Sequence, residues 1–167
     1  MDLKSKIILI SGPTASGKSK AALKIAKKLN GEIINADSMQ VFKELNILTA
    51  RPSKTDLNKI DHHLYGFRSV KKEFSSGEWL KLAKKNIKKI RDKNKIPVLV
   101  GGTGLYFKAL TDGLVKIPKI PILIRNKIRR MQNKLGQKKF YLKLLKIDPT
   151  VKNRIDPTDV QRSIRAY

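Results

Sequence analysis

Cysteine is absent from the 167 residues, which excludes disulfide bonds and thiolate metal sites. No apolar run approaches the ~18 residues that a membrane-spanning helix requires. The apolar run near the N-terminus is short and ends in Ser11 and Gly12, unlike a secretory signal. Together these absences predict a cytoplasmic protein with no membrane association, and 40% hydrophobic residues are enough for a packed core of about one domain.

Acidic residues are scarce as well. The chain has 13 Asp and Glu against 38 Lys and Arg, a formal charge of +25. Such an excess attracts polyanions such as nucleic acids over long distances. The alternative is a lysine-rich composition inherited from an AT-rich coding sequence, and the charge alone leaves both interpretations open.

A phosphate-binding loop is the strongest motif present. The segment "GPTASGKS" follows an apolar run at Ile7–Ile10 and precedes a stretch rich in alanine and lysine, which gives the strand–loop–helix context that this motif requires. Backbone N–H groups at the start of the helix would bind a di- or triphosphate, and the Ser19 hydroxyl would ligate Mg²⁺. The predicted phosphate-binding residues are Gly12, Pro13, Thr14, Ala15, Ser16, Gly17, Lys18 and Ser19.

Strand-like and helix-like segments alternate up to Gly113, which predicts an α/β fold with a parallel sheet covered by helices on both faces. The strands end at "GPTASGKS", "ADSMQ" and "GGTGLY", where ligands bind in such sheets. The pattern then changes to a proline-containing linker, residues 114–121, and basic helices. We therefore expect a core over residues 1–114 and a helical lobe over residues 115–167, with a final helix capped near Thr158.

Polar residues at the strand ends are candidates for chemistry. Asp37 closes an apolar strand and would act as a general base or orient a substrate, or it would bind water around Mg²⁺ or cap the next segment. Ser38 and Gln40 would read a base edge or cap the same turn. Thr103 is the one side chain in its glycine-rich turn with a donor, so it would polarise a leaving oxygen or simply begin the next helix.

The basic helices offer contacts for RNA. Arg125 lies in the first of them, and Arg162 and Arg165 lie three residues apart on one helix face. A solvated helix face is the alternative interpretation of the same pattern.

Taken in order, several segments resemble the tRNA dimethylallyltransferases, also called tRNA isopentenyltransferases. They are "ISGPTASGKS", "INADSMQVF", "LTARPS", "HHLYGF", "PVLVGGTGLYFKAL" and "DPTDVQRSIRA". The resemblance runs along essentially the whole chain and implies a P-loop NTPase-like fold. It also implies transfer of a dimethylallyl group from its diphosphate to N6 of the adenosine 3′ of the tRNA anticodon.

The resemblance further implies roles for individual residues. Lys18 and Mg²⁺ would stabilise the leaving diphosphate, Thr103 would assist there, and Asp37 would take the N6 proton. The residues matching tRNA contacts are Asp37, Ser38, Met39, Gln40, Thr103, Arg125, Gln161, Arg162, Ser163, Ile164 and Arg165.

Members of this family continue well beyond "QRSIRA", so the resemblance implies that the chain is truncated at its C-terminal end. We expect a monomer that binds the anticodon arm of tRNA and dimethylallyl diphosphate. Two other functions use the same motifs: a P-loop kinase acting on a small molecule or nucleotide with ATP, and an inactive remnant that only binds tRNA.

Overall fold

The computed structural model describes residues 6–115 and 120–167. It divides into two compact units, Met1–Val115 and Lys116–Tyr167. The boundary expected from the sequence lies one residue earlier. Residues 116–119 of the expected linker lie outside the described part of the chain.

The first unit is built on a parallel sheet, as predicted. Its four strands are β1 (Ile8–Ser11), β2 (Gly31–Asn35), β3 (His62–His63) and β4 (Ile96–Gly101), in the spatial order β1-β4-β2-β3. All neighbouring pairs are parallel. The carboxyl ends of β1, β2 and β4 therefore lie at the same edge of the sheet.

Helices cover both faces of this sheet, which confirms the predicted layers. They are α1 (Lys18–Lys28), α2 (Lys54–Leu57), α3 (Ser76–Asp92) and α4 (Gly104–Thr111). Successive strand side chains point to opposite faces. On β2, Ile33 packs in the cluster that contains α1 residues, and Ile34 packs in the cluster of α3 and α4 residues.

The start of α3 is fixed to the end of β2 through Trp79. A capping box between Ser75 and Glu78 begins the helix. The fully buried Trp79 indole donates to the Asn35 carbonyl oxygen at 2.8 Å and stacks on the Tyr106 ring of α4, with centroids 4.2 Å apart. These contacts hold α3, β2 and α4 together close to the carboxyl ends of the strands.

The second unit is helical. The run α5 (Ile122–Ile147) is interrupted at Gly136, whose φ of 72° and ψ of 162° are not helical, so it consists of two helices as the sequence predicts. A 3₁₀ turn, Pro149–Asn153, and α6 (Val160–Ala166) follow. Tyr141, Leu144 and Val151 form its buried core.

The predicted cap of the last helix is one residue too early. Asp159 begins α6, because its carboxylate accepts the Arg162 N–H at 2.8 Å, whereas Thr158 bonds to Asp156. A carboxylate in this position also interacts favourably with the positive end of the helix dipole.

No helix in the described ranges is both long enough and apolar enough to cross a bilayer.

A charged cluster lies near the amino end of β2, away from the strand ends that carry the motifs. The Glu32 side chain is fully buried, and its carboxylate accepts from Lys95 Nζ at 2.9 Å and Lys93 Nζ at 3.0 Å. His63 Nε2 lies 2.7 Å from the second oxygen. Burial alone would raise the pKa of Glu32, but the hydrogen bonds from Lys95, His63 and Lys93 outweigh burial and lower it to about 2.

The Glu32 cluster predicts acid sensitivity. A carboxyl group whose pKa is lower in the folded than in the unfolded chain stabilises the fold above the unfolded value, about 4.3, and ceases to do so as the pH falls towards 2. We expect the melting temperature of the wild type to exceed that of Glu32→Gln most above pH 5. The difference should narrow as the pH falls from 5 to 2 in thermal unfolding followed by circular dichroism. A difference that stays constant over this range would contradict the role of the carboxylate charge.

Candidate active site at the carboxyl ends of the strands

The phosphate-binding loop connects β1 to α1 and is largely exposed. Gly17, the residue before α1, has a φ of 80°, and Ala15 has a φ of 64°, so the loop curls through left-handed backbone conformations. The helix start has no side-chain cap. Its first backbone N–H groups are therefore available to an anion, and the helix dipole favours negative charge there.

The Lys18 side chain folds back over this loop. Its ammonium Nζ donates to the Pro13 carbonyl oxygen at 2.9 Å. The cation thus lies beside the N–H groups that begin α1, and the adjacent Ser19 is exposed. A phosphate placed on the loop would meet a positive charge, backbone donors and a hydroxyl.

Asp37 lies two residues beyond the end of β2, and its carboxylate closes a turn. Oδ1 accepts from the Met39 N–H at 2.8 Å and, at a longer 3.4 Å, from the Gln40 N–H. The side chain is therefore held in one orientation above residues 38–40. This is the capping arrangement that the sequence left as an alternative for Asp37, and it occupies one carboxylate oxygen.

Thr103 reaches across to the same turn rather than capping the helix that follows it. Its hydroxyl oxygen accepts from the Ser38 N–H at 2.9 Å and donates to Ser38 Oγ at 3.3 Å. No cap hydrogen bond to α4 involves its side chain. The ends of β2 and β4 are thereby joined by the two hydroxyl residues that the sequence had singled out.

Glycines bring the three strand ends into close contact. A Cβ atom added at Gly101 would lie 2.1 Å from the Ala36 carbonyl, so a side chain cannot be accommodated there. A Cβ atom at Gly102 would lie 3.4 Å from the Gly12 oxygen and 4.0 Å from Asp37 Oδ2. The glycine-rich turn therefore lies directly between the phosphate-binding loop and Asp37.

A cavity of about 670 Å³ opens at this edge of the sheet and is lined by both charged candidate residues, Lys18 and Asp37. Its walls include Lys18, Ser19, Asp37 and Gln40, together with Thr49 from the following connection. A volume of this size accommodates a small organic diphosphate or a nucleobase. The structure thus brings together the phosphate-binding loop, Asp37 and Gln40. Thr103 is not among the residues that line the cavity, and it is connected to the site through its hydrogen bonds to Ser38.

The charge of the Asp37 carboxylate affects the pKa of two tyrosines, Tyr65 and Tyr106. Burial and, to a smaller extent, the charge of the Asp37 carboxylate together raise the pKa of Tyr106 to about 12. Burial and the same carboxylate raise the pKa of Tyr65. Both phenols therefore stay protonated at neutral pH.

Sequence reasoning missed Asn35, the last residue of β2. Its fully buried amide binds the backbone of Asp37 on both sides, through Asp37 N–H and C=O, each at 2.9 Å. A polar residue directly after Ile33 and Ile34 was the available signal, because an amide buried at the end of an apolar run must find partners. Arg51, in the connection that follows Asp37, binds Asn46 Oδ1 and the Lys43 carbonyl oxygen.

The predicted tRNA contacts in the helical unit differ in accessibility. Arg125, Gln161, Arg162 and Arg165 are exposed, and Arg162 also pairs with Asp159 at 3.4 Å. Ile164 is half-buried. Ser163 is buried, donates to the Asp159 carbonyl oxygen and accepts from the Gln137 side chain, so its side chain contributes to packing of this unit.

A phosphate-binding loop between the first strand and helix of a parallel sheet defines a P-loop NTPase-like α/β protein, as predicted. A sequence model of the IPP transferase family matches residues 40–167. The chain therefore belongs to the IPP transferase family, which confirms the resemblance found in its sequence motifs.

Curated relatives extend over the whole chain, including the phosphate-binding loop. The chain is 66% identical over 167 residues to the tRNA dimethylallyltransferase of Pelagibacter ubique, covering 100% of this chain and 53% of that protein. It is 48% identical over 159 residues to the enzyme of the same name from Allorhizobium ampelinum, covering 95% and 52%. The chain thus spans about half the length of these relatives.

Solved structures show the same likeness. A eukaryotic dimethylallyltransferase, captured acting on tRNA, superposes with a TM-score of 0.80 at 31% identity, over 95% of this chain and 40% of that chain. The tRNA isopentenylpyrophosphate transferase of Bacillus halodurans superposes with a TM-score of 0.65 at 36% identity, over 96% and 54%.

Proposed function

We propose that this chain binds dimethylallyl diphosphate and transfers the dimethylallyl group to N6 of an adenine in tRNA, at the position 3′ of the anticodon. The observation that carries the proposal is the shared cavity of Lys18 and Asp37. A diphosphate site and a proton acceptor in one cavity are the two groups that this reaction needs. The relatives that cover the whole chain are named for the same activity.

The donor diphosphate would lie on residues Gly12–Ser19. The loop N–H groups and the Lys18 ammonium would stabilise the negative charge that develops as the C–O bond to the allylic carbon breaks. The electron pair of that bond leaves with the diphosphate. Because these donors are already held in place by the start of α1, little reorganisation is needed at the moment of reaction.

The acceptor adenine would enter from the side of Asp37 and Gln40. A bond forms between N6 and the allylic carbon while N6 loses a proton, for which Asp37 Oδ2 is the available acceptor, since Oδ1 is bonded to Met39 N–H. The base must leave its stack to reach this position. Thr103 holds Ser38, so its role would be to shape the turn that receives the base.

Mg²⁺ is the cofactor that we propose. The described residues contain no group of three or more His, Cys, Asp or Glu placed to hold a metal ion. A phosphate-bound Mg²⁺ does not require one, because it takes its ligands largely from phosphate and water. The Ser19 hydroxyl is an oxygen donor on the same cavity and fits this ion. Once bound, it would neutralise charge on the leaving diphosphate.

The partner would be the anticodon arm of tRNA. Exposed Arg125, Arg162 and Arg165 and the exposed Met39 supply cationic and apolar contacts, and the charge of +25 supplies long-range attraction to RNA. A monomer in the cytoplasm stays our prediction.

A product assay tests the proposal. The chain is incubated with dimethylallyl diphosphate, Mg²⁺ and unmodified tRNA, and the nucleosides are then separated by mass. We expect N6-dimethylallyladenosine. Absence of product, combined with salt-dependent binding of tRNA, would contradict the enzymatic proposal and favour a binding remnant. Tighter binding of ATP than of dimethylallyl diphosphate in calorimetry would favour a kinase.

A further inference from the structure

The Asn35 side chain is a polar group completely enclosed at the end of β2. Its Oδ1 accepts the Asp37 N–H at 2.9 Å. Its Nδ2 donates to the Asp37 carbonyl oxygen at 2.9 Å and to the Leu64 carbonyl oxygen at 3.0 Å. The amide thus uses its acceptor and both of its donor hydrogens, all on backbone groups.

Asp37 is therefore held on both sides by one side chain. The Asp37 N–H donates to the Asn35 side chain, and the Asp37 C=O accepts from it. The backbone on both sides of the Asp37 Cα is therefore fixed, and with it the direction of the Cα–Cβ bond. The bond to Leu64 anchors the same amide to the residue after β3, and Trp79 holds the Asn35 backbone from the other side. Three segments of the first unit are thereby fixed around the residue that carries the carboxylate.

The carboxylate orientation follows from this arrangement. With its backbone fixed, Asp37 directs Oδ1 at the Met39 N–H and leaves Oδ2 on the side of Gly102. The residue lines the cavity that Lys18 also lines. An error of about 1 Å in the position of a reacting group is enough to cost roughly 10²-fold in rate. The two hydrogen bonds from the buried amide, each 2.9 Å long, restrict the position of Asp37 in this way.

We propose that Asn35 is a positioning residue for Asp37: its buried amide fixes the Asp37 backbone so that the free carboxylate oxygen faces the adenine N6. This inference rests on the proposed function, in which Asp37 accepts the proton. Asn35 does not line the cavity, so it acts through Asp37 and not on a ligand.

The test is the single-turnover rate of prenyl transfer in Asn35→Leu, which has the same branched shape and the same number of side-chain heavy atoms but no amide. We expect the rate to fall about 10²-fold, while the affinity for inorganic pyrophosphate, measured by calorimetry, changes less than about twofold. Asn35→Ser, which does not place a bulky apolar group against the Asp37 and Leu64 backbone, is measured in parallel in case the leucine variant does not fold. Equal losses of rate and pyrophosphate affinity would overturn the proposal.

A double-mutant cycle distinguishes positioning from general stabilisation. In the Asp37→Ala background, Asn35→Ser should change the residual rate less than about twofold, because the group that Asn35 positions is gone. If the fold-losses in rate of Asn35→Ser and Asp37→Ala multiply in the double variant instead, Asn35 does not act through Asp37.

Asn86→Ala is the matched control. It also removes an amide that donates to a backbone carbonyl, that of Leu82 at 2.9 Å, but it does so within α3. Its rate should remain within about twofold of the wild type.

A readout without turnover separates this inference from the proposed function. The Met39 N–H is bonded to the Asp37 carboxylate, so its amide exchange, followed by NMR, reports where that carboxylate lies. We expect the Met39 amide to exchange faster in Asn35→Ser than in the wild type. In Asn86→Ala it should exchange at the wild-type rate. If Met39 exchanges faster in Asn35→Ser but the wild-type chain forms no product, the proposal that Asn35 positions Asp37 stands and the proposal of prenyl transfer is rejected. Unchanged exchange at Met39 would overturn the positioning itself.

Discussion

Asp37→Asn is expected to reduce prenyl transfer to tRNA by about 10³-fold, within the 10²–10⁴-fold range typical of a general base. The amide oxygen of asparagine can still accept from the Met39 N–H, so this variant keeps the turn but loses the proton acceptor. The measurement is single-turnover formation of the modified nucleoside with saturating dimethylallyl diphosphate.

Asp37→Ala is the companion variant because it removes the turn contact as well. If Asp37 only caps the turn, alanine should be impaired and asparagine should retain nearly the wild-type rate. That pattern would contradict its role as a base. If both variants lose rate to the same extent while binding of pyrophosphate persists, proton transfer is the function that was lost.

Lys18→Ala should have the second-largest effect. Losing a preorganised charge at the site where negative charge develops typically costs about 10²–10³-fold in rate. We expect a loss of this size in prenyl transfer, together with weaker binding of inorganic pyrophosphate in calorimetry, because the ammonium meets the diphosphate in both the bound and the reacting state.

Lys24→Ala provides the control for charge. This exposed lysine is on the same helix, α1, but does not line the cavity, and its removal changes the net charge of the chain by the same amount. A long-range effect of charge is screened by salt, with a Debye length of about 10 Å at 0.1 M. Equal losses in the two variants, both disappearing with added salt, would show that Lys18 makes no specific contact with the diphosphate.

The two ends of the sheet illustrate different uses of buried polar groups. At the amino end, Glu32 is surrounded by Lys93, Lys95 and His63 in a charge-compensated cluster. At the carboxyl end, Asn35 is neutral and binds only backbone groups. A neutral amide can be satisfied completely without bringing a second charge next to Asp37, whereas a buried charge needs ionic partners.

Much of the fold could be predicted because its signals are local. The spacing of glycines and Lys18 predicts the phosphate-binding loop. The helical repeat of apolar residues predicts the packed face of α3, at Trp79, Leu82, Ala83, Ile87 and Ile90. All of these except the half-buried Leu82 are buried. The break between the two helices of α5 falls at Gly136, where the positive φ of 72° favours glycine. The start of α6 was placed wrongly because Thr158 and Asp159 are both good caps, and only the hydrogen bonds distinguish them.

The candidate site was predictable in its membership but not in its arrangement. Asp37, Gln40 and Thr103 were found because each follows a strand of a parallel sheet, whose carboxyl ends meet at one edge. The sequence alone determined that edge, the phosphate-binding loop and the family. Only the tertiary structure decided that Thr103 binds Ser38 and that the Asn35 amide binds the Leu64 carbonyl oxygen, because those contacts depend on how closely separate strand ends approach. At Gly101 that approach leaves no room even for a Cβ atom, and no pattern within a single strand encodes such a distance.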